Sequence, residues 1–367
     1  MRNTKIALAV LALVASTAAM AEGATVYGTL DAGIANTSSS NNTTSGTMFS
    51  GAGGWVAGNN IGFKGSEDLE NGLKATYQLE MGINLNTGAS DNGGSGFSTA
   101  PAAVAPSTQL ATQSSLFSRT AAIGLAGDFG SVTLGQQLSP YIAAQAMGTA
   151  GNGHFFVNRI IMGGGLGNAA VGSTVLGQGG FFMPNAIVYA TPSIGGISGS
   201  VMATVRNGAA GGAVDPGTQA DNYIAGMATG AFGDVNVTVG FQDRQNTIKG
   251  QTYSASYAMG PATISGNYTS STIEGATAIN SYSGSLAYAV TAPLTVSLQY
   301  ARNNLATAQT LSNVGAQYAL SKRTSLYATY GRGTNGAQSN YDTRGSYAAT
   351  GTTTTSTTLA AGVTHSF

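Results

Sequence analysis

The stretch Val235–Gln242, VNVTVGFQ, carries the reading of the fold. Val235, Val237, Val239 and Phe241 alternate with Asn236, Thr238, Gly240 and Gln242. Successive side chains of a strand point to opposite faces, so a period of two separates these sets onto the two sides of a β-strand. The alternation recurs downstream. Tyr253, Ala255 and Tyr257 alternate with Thr252, Ser254 and Ser256. Tyr282, Gly284, Leu286 and Tyr288 alternate with serines and Ala287, and Leu294, Val296, Leu298 and Tyr300 with Thr295, Ser297, Gln299 and Ala301. The polar face of a soluble sandwich usually holds many Lys and Glu. Here it holds Ser, Thr, Asn, Gln and Gly. That pattern fits apolar side chains against lipid and small polar ones around a water-filled interior. Tyr257, Tyr288 and Tyr330 are read as members of an aromatic girdle at the headgroups.

Composition agrees. Charged residues make up 8% of the chain, against roughly 25% in soluble proteins. Glycine accounts for 54 of 367 residues, about twice the usual ~7% share. There is no cysteine, which excludes disulfides, thiolate metal sites and cysteine nucleophiles. Fourteen basic residues balance fourteen acidic ones, so no nucleic-acid partner is expected. With two histidines, no Ser-His-Asp arrangement is persuasive. Gly163–Gly167 lacks the strand, helix and Lys of a phosphate loop, and Asp91-Asn92-Gly93 lacks the further acids of a calcium loop. No catalytic, cofactor or metal site is read, and the chain is not expected to be an enzyme.

Residues 1–21 read as a secretory signal peptide: Arg2 and Lys5, an apolar run Ile6–Ala15, and the small-x-small step Ala19-Met20-Ala21. Residues 22–367 are then a single all-β transmembrane domain. Short turns are expected at Glu70–Gly72, Asp128–Gly130, Pro192–Gly196, Phe232–Asp234, Met259–Pro261, Val290–Pro293 and Ser321–Arg323. Long Gly-, Ser- and Thr-rich loops fall near 35–59, 86–117, 138–183, 208–221, 245–250, 273–280, 304–309 and 333–356. These fifteen connections join about sixteen antiparallel strands, with short turns on one side and long loops on the other. Hydrocarbon cannot satisfy an open sheet edge, so the sheet must close. A barrel of this size leaves an aqueous channel. Trp55, in the first long loop, is read as a packing residue. His365, on the last strand, is read as interfacial or inter-subunit rather than a metal ligand.

Several segments resemble the general porins of Gram-negative bacteria, particularly the β-proteobacterial trimeric type. They are VYGTLDAGI (26–34), IGFKGSEDLENGLKATYQLEMGINLNTG (61–88), LFSRTAAIGLAGDFGSVTLGQQ (116–137), NAIVYATPSIGGISGS (185–200) and the terminal GVTHSF. The resemblance implies a bacterial outer-membrane location among outer-membrane lipid and lipopolysaccharide, and a homotrimer. It implies a third loop, here about 138–183, folded into the lumen as the constriction. It also implies that the terminal Phe367 is read by the outer-membrane assembly machinery. The implied activity is passive diffusion of small hydrophilic solutes and ions through a water-filled channel.

The resemblance also implies a wall ladder of arginines, which is mostly missing here. The ladder positions carry Asn60, Arg119, Gln136 and Phe182, so only Arg119 is charged. Residues 138–183 contain no Asp or Glu, and Arg159 is their one basic residue. Lys64 shares parity with Asn60, so both should point inward. The expected constriction is weakly charged: Arg119, Lys64 and Arg159 give a mild anion preference, tempered by Asp31, Asp68 and Glu80. Phe155, Phe156, Phe181, Phe182 and Met183 either pin the loop to the wall or suit it to neutral, partly apolar solutes. The second case would make a substrate-preferring channel on the same barrel.

Overall fold

The computed structural model describes residues 23–40, 46–49, 54–91, 116–149, 182–205, 223–244, 248–273, 277–304, 308–334 and 355–367. The expected leader, Arg159, and residues 150–181 of the expected constriction loop lie outside them. The described residues form one sheet that closes on itself. Its wall has sixteen strands. The first eight are β1 (Thr25–Ser39), β2 (Asn60–Asp68), β3 (Lys74–Ile83), β4 (Thr120–Gly127), β5 (Gly130–Leu138), β6 (Phe182–Ala190), β7 (Ile197–Thr204) and β8 (Tyr223–Phe232). The rest are β9 (Val235–Arg244), β10 (Ile248–Met259), β11 (Ala262–Ile273), β12 (Ile279–Ala289), β13 (Leu294–Asn303), β14 (Thr310–Ala319), β15 (Thr324–Thr334) and β16 (Thr355–Ser366). Two short pieces, Gly46–Phe49 and Ser90–Asp91, extend the loop ends of β1 and β3. Each strand pairs antiparallel with its neighbours, and β1 meets β16 from Thr29↔Ser366 to Ser39↔Ser356.

All seven expected short turns lie at one end, where the chain terminus also docks. There the Gly28 and Phe367 backbones exchange hydrogen bonds of 3.1 Å in both directions. Gly233 and Gly260 sit in tight hairpins at φ 63° and 56°, a region where a Cβ is strained.

The faces divide as the alternation requires. On β9, Val237, Val239 and Phe241 are exposed on the outside, while Thr238 and Gly240 are buried on the inside. Outward tyrosines form two rows. Tyr253, Tyr268 and Tyr282 stand opposite one another on neighbouring strands, continued by Tyr300 and Tyr330; Tyr257, Tyr288 and Tyr318 lie nearer the short turns. Leu286, Leu298 and Val314 are paired in register between the rows. Tyr330 therefore belongs to the row facing the long loops, some residues short of its strand end. Inside, directly opposed hydroxyls and amides bond across strands: Thr252 to Thr269 at 2.9 Å, Asn267 to Ser254 at 2.6 Å, Ser265 to Ser285 at 2.7 Å. These pairs satisfy polar groups across the inner wall.

Lipid on one side and water on the other predict an asymmetry. Leu298→Arg, between the tyrosine rows, should cost about 2–4 kcal/mol of barrel stability, as charges do near a bilayer midplane. Ser297→Arg, one residue away and facing in, should cost far less. Equilibrium unfolding in lipid bilayers measures both, and equal costs would contradict the assignment of faces.

In one sector the inner face is apolar. A helix, α1 (Pro140–Ala146), leaves the end of β5 and lies against the inner wall of β8, β9 and β10. Tyr141, Ile142, Met183, Ala186, Met202, Tyr223 and Ala225 form a buried cluster beneath it, with Phe182 and Val188 packed alongside. The uniformly polar interior expected from the alternation therefore fails at β6–β8, because that wall is covered by α1 rather than by water. Close approach requires glycine opposite the helix: a Cβ on Gly240 would come within 2.7 Å of the Ala144 Cβ, and one on Gly250 within 2.6 Å of the Tyr141 hydroxyl. Ser254 donates to the Ala144 carbonyl at 3.1 Å, and the Ser139 and Tyr223 hydroxyls share a 2.6 Å hydrogen bond. Burial pushes the Tyr141 phenol well above its ordinary pKa, so it stays neutral there. The start of the third long loop thus folds into the barrel.

Candidate functional site: the charged wall of the lumen

Two groups of polar residues occupy the inner face near β1–β4. The first is built on inward positions of β1, β2 and β3, joined by Arg119 just before β4. The Tyr27 hydroxyl donates to Glu80 Oε2 at 2.7 Å, and Gln78 Nε2 donates to the same hydroxyl at 2.6 Å. Lys64 Nζ lies 5.0 Å from the Tyr27 ring centroid. The Arg119 guanidinium is ion-paired through Nε to Glu80 Oε1 and stands 4.9 Å over the Phe182 ring. Register explains the meeting: Glu80 lies opposite Gly62 on one side and Thr120 on the other, and Gln78 lies opposite Lys64. Lys64, Gln78, Glu80, Arg119 and Phe182, with Thr133 and Gln137, line a recess of about 790 Å³.

Lys64 and Arg119 differ in charge balance. Arg119 and Glu80 are mostly buried, with side chains 18% and 10% exposed, so the pair is nearly neutral at a distance. Lys64 is exposed and forms no ion pair among the described residues. A cation over an aromatic face keeps its full charge while gaining roughly 0.5–1 kcal/mol at an exposed site.

The second group fastens the first loop. Asp31 is fully buried. Its Oδ2 accepts from the backbone nitrogens of Trp55, Val56 and Ala57 at 3.0, 2.6 and 2.8 Å, and its Oδ1 from the Tyr327 hydroxyl at 2.6 Å. Asn59 Oδ1 accepts from the Asp31 nitrogen at 2.5 Å. Asn60 completes the latch, accepting from Thr29 N at 3.2 Å and donating to Gly58 O at 3.3 Å. Trp55 is 1% exposed, a packing residue as its position suggested.

The expected lumen residues therefore separate. Arg119, Lys64 and Phe182 come together. Asp31 and Asn60 hold residues 54–59 against the wall, and Asp31 meets no open water. Gln136 shares the strand face of the exposed Leu134 and Leu138 and donates to Ser118 O at 2.5 Å, so it braces the backbone leading into Arg119. Glu80, expected as a distant tempering acid, is the direct partner of Arg119. Tyr27 and Gln78 were missed, although Tyr27 shares inward parity with Asp31. At the chain terminus, the Phe367 ring packs over Gly28, whose Cβ would meet it at 2.6 Å, and stacks with His365 at 6.4 Å between centroids.

A closed antiparallel sheet with tyrosine rows outside and hydroxyls and amides inside is a transmembrane channel-forming barrel. The family model described as Gram-negative porin matches residues 7–338. This chain belongs to that family and is an outer-membrane porin. The outer membrane porin protein 32 of Delftia acidovorans is 29% identical over 348 residues, covering 89% of this chain and 88% of its own. The anion-selective porin from Comamonas acidovorans superposes with a TM-score of 0.69 at 20% identity, over 94% of this chain and 99% of its own. The in-vitro folded trimer form of OmpT from Vibrio cholerae gives a TM-score of 0.59 at 13% identity, over 95% of this chain and 100% of its own.

Proposed function

We propose that this porin is a general-diffusion channel with a mild anion preference set mainly by Lys64. It works by passive diffusion rather than catalysis, and small hydrophilic solutes and ions are its cargo. The carrying observation is the contrast between the exposed Lys64, which has no ion pair among the described residues, and the Arg119–Glu80 pair. Charges facing a wet lumen are screened beyond ~8 Å at physiological salt, so one lysine biases ion passage without gating it. The anion selectivity of the Comamonas porin is in keeping with this sign. Packing of Phe182 and Met183 against the α1 cluster supports the reading in which they pin the loop, and a substrate-preferring path is not favoured.

We place the channel in a homotrimer, as in the trimer form of its Vibrio relative. In support, the outer faces of β4–β6 carry exposed aliphatic side chains such as Ile123, Leu125, Leu134 and Ile187, while most outward tyrosines lie on β10–β15. Phe367, docked at the short-turn end, is the group we assign to recognition by the assembly machinery. Reversal potentials in a KCl gradient across a planar bilayer test the function. The expected record is a modest anion preference with conductance in equal triplet steps; strong selectivity for either ion would overturn the assignment. Phe182→Arg should raise the chloride preference, because its side chain would enter the recess beside Arg119. An unchanged reversal potential would mean that position 182 does not reach the ion path.

A further inference from the structure

Two stretches of loop fold into the bore, and they come from opposite sides. α1 rests on β8, β9 and β10. Residues 54–59 of the first loop rest on β1, and Tyr327 of β15 bonds to the carboxylate that holds them. In a closed wall of sixteen strands β1 and β9 stand opposite each other, with β2–β8 between them on one side and β10–β16 on the other. The depths match as well. Counted from the short-turn end, Asp31 is the seventh residue of β1, and Gly240, against Ala144, is the sixth of β9. Ser254, which donates to the Ala144 carbonyl, is likewise the sixth of β10, counted back from Met259.

The first-loop insert is as firmly held as the helix. Three consecutive N–H groups close on the Asp31 carboxylate, as successive backbone donors do around an anion. The Asn59 carbonyl accepts from Ile83 N at 3.1 Å, which ties the far end of the segment to β3. The residues left partly open are Ala57 and Gly58 on this insert, and Ala143, Ala146 and Met147 on the helical one. None of them is charged.

We propose that residues 54–59 and α1 are two facing jaws of one opening, and that Ala57 and Met147 set the size limit for solutes. This rests on the reading of the protein as an open diffusion channel. Pore diameter governs which solutes pass, while charged groups on the wall govern which ions do. Size and sign are then separate here. The uncharged jaws select by size, and Lys64 with the Arg119–Glu80 pair selects by charge.

The chain has no cysteine, so an introduced thiol can be labelled alone after the barrel has folded. In proteoliposomes, Ala57→Cys and Met147→Cys, each reacted with a neutral benzyl methanethiosulfonate, should slow sucrose entry severalfold and leave glycerol entry nearly unchanged. Labelling both in one protein should slow sucrose by more than the product of the single effects, because both groups fill one gap. Ser256→Cys, on the inner wall nearer the short turns, should react and leave both solutes unaffected. The KCl reversal potential should stay at the wild-type value throughout. Unchanged sucrose entry through labelled Ala57→Cys would overturn the proposal, as would a thiol at 57 that the reagent cannot reach. A double label equal to the product of the two would show that the inserts do not share one opening. Unlabelled protein that fails to conduct KCl would count instead against the channel reading itself.

Discussion

Replacing Asp31 with alanine should unfasten the first loop from the barrel wall, lower the thermal midpoint and raise single-channel conductance. The carboxylate satisfies three consecutive backbone N–H groups and the Tyr327 hydroxyl in a site with no exposure. Each buried donor left unpaired costs roughly 1–3 kcal/mol. Water entering the gap recovers part of the cost of the four donors, so a net loss of about 3–5 kcal/mol is expected. No neighbour can substitute. Gly54, at φ 62°, lies so close that a Cβ on it would come within 2.6 Å of the Asp31 Cβ, and the Tyr327 hydroxyl lies against both Gly33 and Gly362. Residues 54–59 sit against the inward face of β1, so releasing them widens the bore. Tyr327→Phe removes one bond to a charged acceptor and should cost only about 1.5–3 kcal/mol, leaving conductance near wild type. Unchanged midpoint and conductance in Asp31→Ala would show that the segment is held by something other than this carboxylate.

The latch also marks the limit of what the chain's alternation reveals. Parity places Asp31 inward, and that is correct. Its environment comes from Trp55–Ala57, in a stretch with no periodicity, and from Tyr327, 296 residues away. Neither distance in sequence leaves a local signal. The strands and all seven short turns were legible because a lipid-facing strand has little freedom in where it puts apolar side chains. The sector under α1 was not, because whether an inward position meets water or a helix depends on a loop with no pattern of its own. Arg119 could be picked out by type and position. Its neutralisation could not, since Glu80 reaches it only once β3 and β4 pair across the long connection between them. Gln136 shows the same limit: its place at the end of β5 is legible, but the use of its amide on the Ser118 carbonyl is not.

Glu80→Gln should turn that hidden pairing into a measurable change of selectivity. The substitution keeps the side chain's size and an oxygen to accept from Tyr27, but removes the charge that cancels Arg119. A unit charge 4–7 Å from a passing ion is worth about 0.6–1 kcal/mol in bulk water. Partial screening reduces this, so the chloride-to-potassium permeability ratio should rise about two- to fivefold at 0.1 M salt. At 1 M the Debye length falls to ~3 Å, and most of the gain should vanish. Arg119→Gln should do the reverse, leaving Glu80 uncompensated and drawing the ratio toward potassium. The double variant should return close to the wild type, because a neutral pair replaces a cancelled one. Lys64→Gln in that background should then abolish the remaining anion preference. If Glu80→Gln and Arg119→Gln move the reversal potential in the same direction, the two charges do not act on a common ion path. If neither moves it, the recess they line lies off the conducting route, and selectivity must arise elsewhere in the bore.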